Sequence, residues 1–175
     1  MTRLVVWVEG DRDSRFFESI VKPRLLDRYT QVLVREYRQE KQATVNRLLR
    51  AMVHQGYDRL FVADINSAPC VTSRKEKVKE HYQDLKDNEI IVVSREIESW
   101  YLAGLNASGA SALKVNCPAV TDDFSKLDFN RLRPDRFNSE VDFMIELLKH
   151  FDPMAASKRN ASFAYFHRRF LAPQG

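Results

Sequence analysis

Leu4-Val5-Val6-Trp7-Val8-Glu9-Gly10-Asp11-Arg12-Asp13 decides how this chain reads. The unbroken apolar run has the length and β-branched content of a strand buried on both faces, and it stops abruptly at an acidic, glycine-containing turn. A helix is expected from about residue 13. Phe16, Phe17, Ile20, Leu25 and Leu26 form its apolar side, and Pro23 kinks or splits it. A second run, Leu60-Phe61-Val62-Ala63, ends in the same way at Asp64-Ile65-Asn66.

Outward from these two runs, strand and helix patterns alternate. A strand is expected over about 31–37, centred on Val32, Leu33 and Val34. A helix follows in which Val45, Leu48, Leu49, Met52 and Val53 fall at i, i+3, i+4, i+7 and i+8. Gly56 then stands where a left-handed C-cap belongs. After the strand at 59–63 comes a lysine-rich helix with Ser73 and Glu76 in capping-box spacing. A strand over 90–93 and a helix over 96–105 complete the series.

This order predicts an α/β domain over residues 1–105: a Rossmann-like, four-stranded, mainly parallel sheet with helices on both faces. From residue 106 the pattern weakens, and Gly109, Pro118 and Pro134 mark a loop-rich stretch. Helices are expected over 139–151 and 162–170, the first burying Val141, Met144, Ile145 and Leu148. Residues 106–175 therefore read as a helical C-terminal extension packed on the same domain.

The chain has 175 residues, 44% hydrophobic and 30% charged, which places it among globular rather than disordered proteins. No apolar run reaches the ~18 residues of a membrane span. The N-terminus enters a strand without the pattern of a signal peptide, so a cytoplasmic protein is expected. Cys70 and Cys117 stand alone and read as reduced thiols. A net charge of +4 and a pI near 9.1 lean toward a polyanionic partner. Walker, G-x-G-x-x-G and G-x-S-x-G sequences are absent, and His54, His81, His150 and His167 lack ligand spacing.

The acidic strand ends carry the chemistry. Glu9 follows the first strand, Asp13 lies in the next helical turn, Asp64 ends the third strand, and Glu96 and Glu98 follow the fourth. Carboxylates at the C-terminal ends of parallel strands face the crevice where open α/β sheets bind ligands. Crowded there they repel, and a hard divalent cation, Mg²⁺ or Mn²⁺, relieves that repulsion. Each residue also has a purely structural explanation. Asp13 suits a helix N-terminus, Asp64 a turn, and Glu96 and Glu98 a solvated first turn.

Glu9-Gly10-x-x-Asp13 after one hydrophobic strand and Asp64-x-Asn66 after another resemble the Toprim domain of primases, topoisomerases and overcoming-lysogenization-defect nucleases. The stretch Arg95-Glu96-Ile97-Glu98-Ser99-Trp100-Tyr101-Leu102-Ala103 is similar to a subgroup of small Toprim-like bacterial and archaeal proteins. So is Ser162-Phe163 before a basic, aromatic helix. The resemblance implies that Glu9 serves as acid–base group or metal ligand in phosphoryl transfer. It further implies that Asp64 and the residue at 66 hold Mg²⁺. Asn66 stands where that family has a second aspartate, which removes one negative charge; Glu96 or Glu98 is a candidate to restore it.

Arg74, Lys75, Lys77 and Lys79 follow the Asp64 loop and would guide a nucleic-acid backbone, unless they simply form a solvated helix face. Lys158, Arg159, His167, Arg168 and Arg169 alternate with Phe163, Tyr165, Phe166 and Phe170. That pattern suits single-stranded nucleic acid, although the phenylalanine spacing fits a helix docked on a core. Trp100 and Tyr101 read as packing residues.

The expected function is metal-dependent phosphoryl transfer on DNA or RNA, foremost as a nuclease, with Glu9 and Asp13 catalytic and Glu9, Asp64, Asn66, Glu96 and Glu98 around the ion. The resemblance adds a defence or repair setting and a partner ATPase. The alternative is a catalytically silent module that binds nucleic acid or a partner protein. A response-regulator-like acidic pocket, with Asp11 and Asp13 as its pair, is a weaker third.

Overall fold

The computed structural model describes residues 2–172, and the chain divides into two compact units between Val93 and Ser94. The first unit carries four strands: β1 Arg3–Val8, β2 Gln31–Glu36, β3 Tyr57–Asp64 and β4 Ile90–Val93. All pair in parallel, in the order β2-β1-β3-β4. Leu4 lies opposite Val32 on one side and Asp58 on the other, and Asp64 lies opposite Val93. This is the expected Rossmann-like α/β sheet. β1 is interior, and Leu4 to Val8 are at most 1% exposed, which explains the unbroken apolar run. β2 lies at an edge and accordingly exposes Gln31 and Arg35.

The chain leaves β1 through α1 Asp11–Phe16, a π-helical segment Phe17–Val21 and α2 Lys22–Leu25. The expected break at Pro23 takes this form. Proline has no N–H and collides with the carbonyl four residues earlier. The wider turn directly before it, in which the Lys22 N–H bonds back to the Phe17 carbonyl, accommodates the ring. Leu26, expected on the apolar side, is instead 49% exposed, while Leu25 is fully buried.

α3 Gln42–His54 buries Val45, Leu49 and Met52 against the sheet. Val53, at the margin of that stripe, is exposed, which corrects its place in the expected core. Gly56 adopts φ +76, the left-handed cap that its position implied. α4 Val71–His81 starts earlier than the Ser73–Glu76 spacing suggested. Its N-cap is Cys70, whose Sγ accepts the Ser73 N–H at 3.5 Å. On one face of the sheet Val5, Trp7, Phe61, Ala63, Ile90 and Val92 join Val45, Leu49 and Val78 in one core. Each fully buried large side chain there contributes roughly 1.5–3 kcal/mol. Right-handed crossovers that step outward to β2 and then back to β3 put α1 and α3 on opposite faces.

The second unit is helical: α5 Glu98–Ala103, α6 Ala107–Leu113, α7 Lys126–Leu132, α8 Glu140–Lys149, α9 Pro153–Arg159 and α10 Ala161–Phe166, which runs on into a π turn over His167–Leu171. α5 is buried along its whole length, so it is apolar on every side except at Glu98 and Ser99. The residues expected to be loop-rich contain α6 and α7, and α9 was not foreseen. In α8 the buried residues are Phe143, Met144 and Leu147, whereas Val141 and Ile145 are exposed. That correction is a shift in phase of the apolar stripe. Trp100 packs edge-on against Phe163 and stacks on Phe166, and Trp100 and Tyr101 are fully buried, as packing residues should be. Gly104 is required by close approach: a Cβ there would lie 2.1 Å from the Phe151 ring. Among the described residues no helix is long and apolar enough to cross a membrane.

Candidate functional site

In the order β2-β1-β3-β4 the direction of winding reverses between β1 and β3, and the crevice beyond the carboxyl ends of those strands is where such sheets bind ligands. Glu9 follows β1 and Asp64 closes β3, so both border it. The parallel pairing of β1 with β2 continues past the strand ends: Tyr37 N–H donates to the Val8 carbonyl at 2.9 Å and Arg38 N–H to the Glu9 carbonyl at 3.3 Å. This holds the Glu9 backbone in place. Arg38 Nη1 also donates to Glu9 Oε1 at 2.8 Å. Glu9 Oε2 is buried and accepts no hydrogen bond from any described residue.

Asp13 is 7% exposed in the first turn of α1, where a carboxylate also favours the helix dipole. Asp64 is half-buried, with Oδ1 fully enclosed, and its carbonyl accepts Arg74 Nε at 2.6 Å. Asn66 is exposed at φ +49, a left-handed conformation that asparagine tolerates better than most residues. The backbone alone therefore accounts for an asparagine here.

The common neighbour of these groups is Tyr37, a residue the sequence did not single out. Burial pushes its phenol far above the ordinary tyrosine value. The charges of Glu9, Asp64 and Asp13 push it further, and Arg74 opposes them. Acids from two segments, the β1–α1 junction and the end of β3, thus oppose ionisation of one buried hydroxyl. Tyr37 stacks on Phe61 with ring centroids 4.5 Å apart, and Tyr82 closes the group at 4.8 Å from Phe61 and 5.4 Å from Tyr37. Burial followed by the charge of Glu9 raises the Tyr82 phenol as well. These rings, with Glu9, Asn66, Arg74 and Lys77, line a cleft of about 420 Å³.

The four basic candidates separate. Arg74 and Lys77 line the cleft. Lys75 Nζ donates to the Asp87 carbonyl at 2.7 Å and Lys79 Nζ to Asp87 Oδ1 at 2.6 Å, so both brace the segment before β4. The bond from Lys79 holds the Asp87 carboxyl below its usual range. Glu96 and Glu98 belong to the second unit. Glu96 Oε2 accepts the Lys126 N–H and helps Ser125 cap α7, while Glu98 is 3% exposed at the start of α5. Among the described residues no group of three or more His, Cys, Asp or Glu side chains is gathered closely enough to hold a metal ion.

Tyr37, Arg38 and Tyr82 escaped the sequence reading because each lies just past an element end, and only strand order tells which ends adjoin. Compared with family models, with curated proteins and with solved structures, the chain matches none.

Proposed function

We propose that this chain is a divalent-metal-dependent phosphoryl-transfer enzyme of the nuclease kind, with Glu9, Asp13 and Asp64 as its acidic centre. One observation carries the reading: Glu9 just past β1 and Asp64 at the end of β3 border the same crevice, each with an enclosed carboxylate oxygen, and the Glu9 oxygen accepts no hydrogen bond from any described residue. An enclosed carboxylate oxygen without a hydrogen-bond donor calls for a counter-charge. Mg²⁺ is usually held by one or two carboxylates and completed by waters and substrate phosphate oxygens. Glu9 and Asp64 suit that requirement, and the Asn66 amide oxygen is a neutral third donor.

A bound cation would supply Lewis acidity toward phosphate oxygens and lower the pKa of water. Glu9 accepts the proton of the attacking water. Asp13 fixes the charge balance behind it. Arg74, anchored through Nε on the Asp64 carbonyl, and Lys77, which line the same cleft, bind phosphate oxygens. The likeness to Toprim nucleases points the same way, and the defence or repair setting and the partner ATPase rest on that likeness alone.

The second reading, a silent module that binds nucleic acid, is favoured by the lack, among the described residues, of three acidic, histidine or cysteine side chains close enough to hold an ion. The test is calorimetric titration with Mn²⁺ together with cleavage of labelled single-stranded DNA, duplex DNA and RNA. Wild type should bind and cut, and Glu9→Ala or Asp64→Ala should cut at least ~100-fold more slowly. Absence of metal binding and of cleavage on all three substrates overturns the enzyme reading.

A further inference from the structure

The cleft beside Glu9 has an aromatic wall that phosphoryl transfer does not require. Tyr37 is 7% and Phe61 0% exposed, so these rings serve the core. Tyr82 is half-exposed and reaches the cleft with its ring braced by both. It follows the last residue of α4, the helix that brings Arg74 and Lys77 to the same cleft. An ordered ring that keeps exposure beside two cations matches the demands of an unpaired nucleotide, whose base offers a face for stacking and whose phosphate offers a charge. A base within a duplex has both faces covered by its neighbours and offers only its edges. At about 420 Å³ the cleft lies toward the small end of ligand sites, the scale of one nucleotide unit rather than a helix.

We infer that the cleft takes one unpaired nucleotide of a nucleic-acid strand, with its base on Tyr82 and its phosphate toward Arg74 and Lys77. This inference rests on the nucleic-acid reading above and deepens it: the substrate is single-stranded or frayed, and intact duplex is excluded.

The test is fluorescence anisotropy in EDTA, which prevents cleavage, with a fluorescein-labelled oligothymidylate and with the same strand annealed to its complement. The single strand should bind at least ~10-fold more tightly than the duplex. Stacking on one aromatic ring contributes about 1–3 kcal/mol per base. Tyr82→Ala should therefore weaken single-strand binding about fivefold or more. Tyr82→Phe should stay within about twofold of wild type. Should Tyr82→Ala fail to fold, Tyr82→Leu, which keeps apolar volume without a ring, carries the same comparison. Equal binding of duplex, or single-strand binding unchanged by losing the ring, overturns the inference. Ring-dependent binding without Mn²⁺-driven cleavage overturns only the enzyme reading. Cleavage that ignores strandedness overturns only this one.

Discussion

Arg38 Nη1 sits 2.8 Å from Glu9 Oε1, tying the end of β2 to the end of β1 through one carboxylate oxygen. Arg38 is 76% exposed and Glu9 20%, so the pair contributes about 1 kcal/mol or less to stability. Its larger effect is on Glu9. A cation already bound to one oxygen competes with a divalent ion for the other. Arg38→Ala should therefore tighten Mn²⁺ binding several-fold while shifting the unfolding midpoint little. Titration calorimetry checks this; weaker binding would mean that Arg38 orients Glu9 rather than competes for it.

Ser162 joins distant parts of the second unit. Its Oγ accepts Trp100 Nε1 at 2.8 Å and the Ser94 N–H at 3.1 Å, and donates to Asn160 Oδ1 at 2.7 Å. Ser162→Ala strips partners from groups buried around a fully enclosed indole. The expected loss is about 2 kcal/mol or more, read from urea unfolding. A variant as stable as wild type would show that water replaces the hydroxyl.

Gly10 and Gly104 should respond oppositely to alanine. A Cβ at Gly10 meets no atom of the described residues within 4 Å, and the backbone there is extended. At Gly104 it strikes the Phe151 ring, which is itself packed on Phe163. Gly104→Ala should cost at least about 1–3 kcal/mol and Gly10→Ala well under 1. Thermal unfolding of the two variants side by side decides.

Asp128 supplies a pH signature. Its hydrogen bonds from Ser125 hold the carboxyl below the usual aspartate range. A depressed folded value means a contribution fully present above the unfolded value of ~3.9 and lost as pH falls through the folded one. The advantage of wild type over Asp128→Ala should be constant from pH 8 to 5 and shrink below pH ~4. Urea midpoints across that range test it, and an advantage unchanged at the acid end would contradict the capping role.

The two thiols should differ in reactivity. Cys70 is exposed, whereas burial pushes the Cys117 thiol up and its S–H donates to the Leu102 carbonyl at 3.2 Å. The thiolate is the nucleophile, so iodoacetamide at neutral pH should label Cys70 first. Peptide mapping by mass spectrometry reads the order directly.

The sheet was legible because its signal is strong. Runs such as Leu4–Val8 and Ile90–Val93 are apolar throughout, short and rich in β-branched residues, which a strand buried on both faces requires. The helices of the second unit were harder. α6, α7 and α9 are about two turns each, too short for a stripe to repeat. Their signals lie in the caps instead: Asn106 accepts the Gly109 N–H, Ser125 and Asp128 cap reciprocally, and Asp152 precedes Pro153. Attention to capping residues ahead of periodicity would have found them. Of the candidate site, the strand-end acids were legible and the aromatic wall was not. A carboxylate after an apolar run stands out locally, whereas Tyr37 and Tyr82 meet only once strand order is known. The same limit explains Lys75 and Lys79, whose partner Asp87 lies beyond the helix that carries them.

The π turn before Pro23 sets a rotational phase. A single surplus residue turns everything after it by about 100° around the helix axis. That offset leaves Leu25 buried and Leu26 exposed. Deleting one residue between Phe17 and Val21 would exchange those two leucines and drive the proline ring into the carbonyl ladder. The approach to β2, and with it the position of Arg38, thus depends on a length that the apolar pattern alone does not announce.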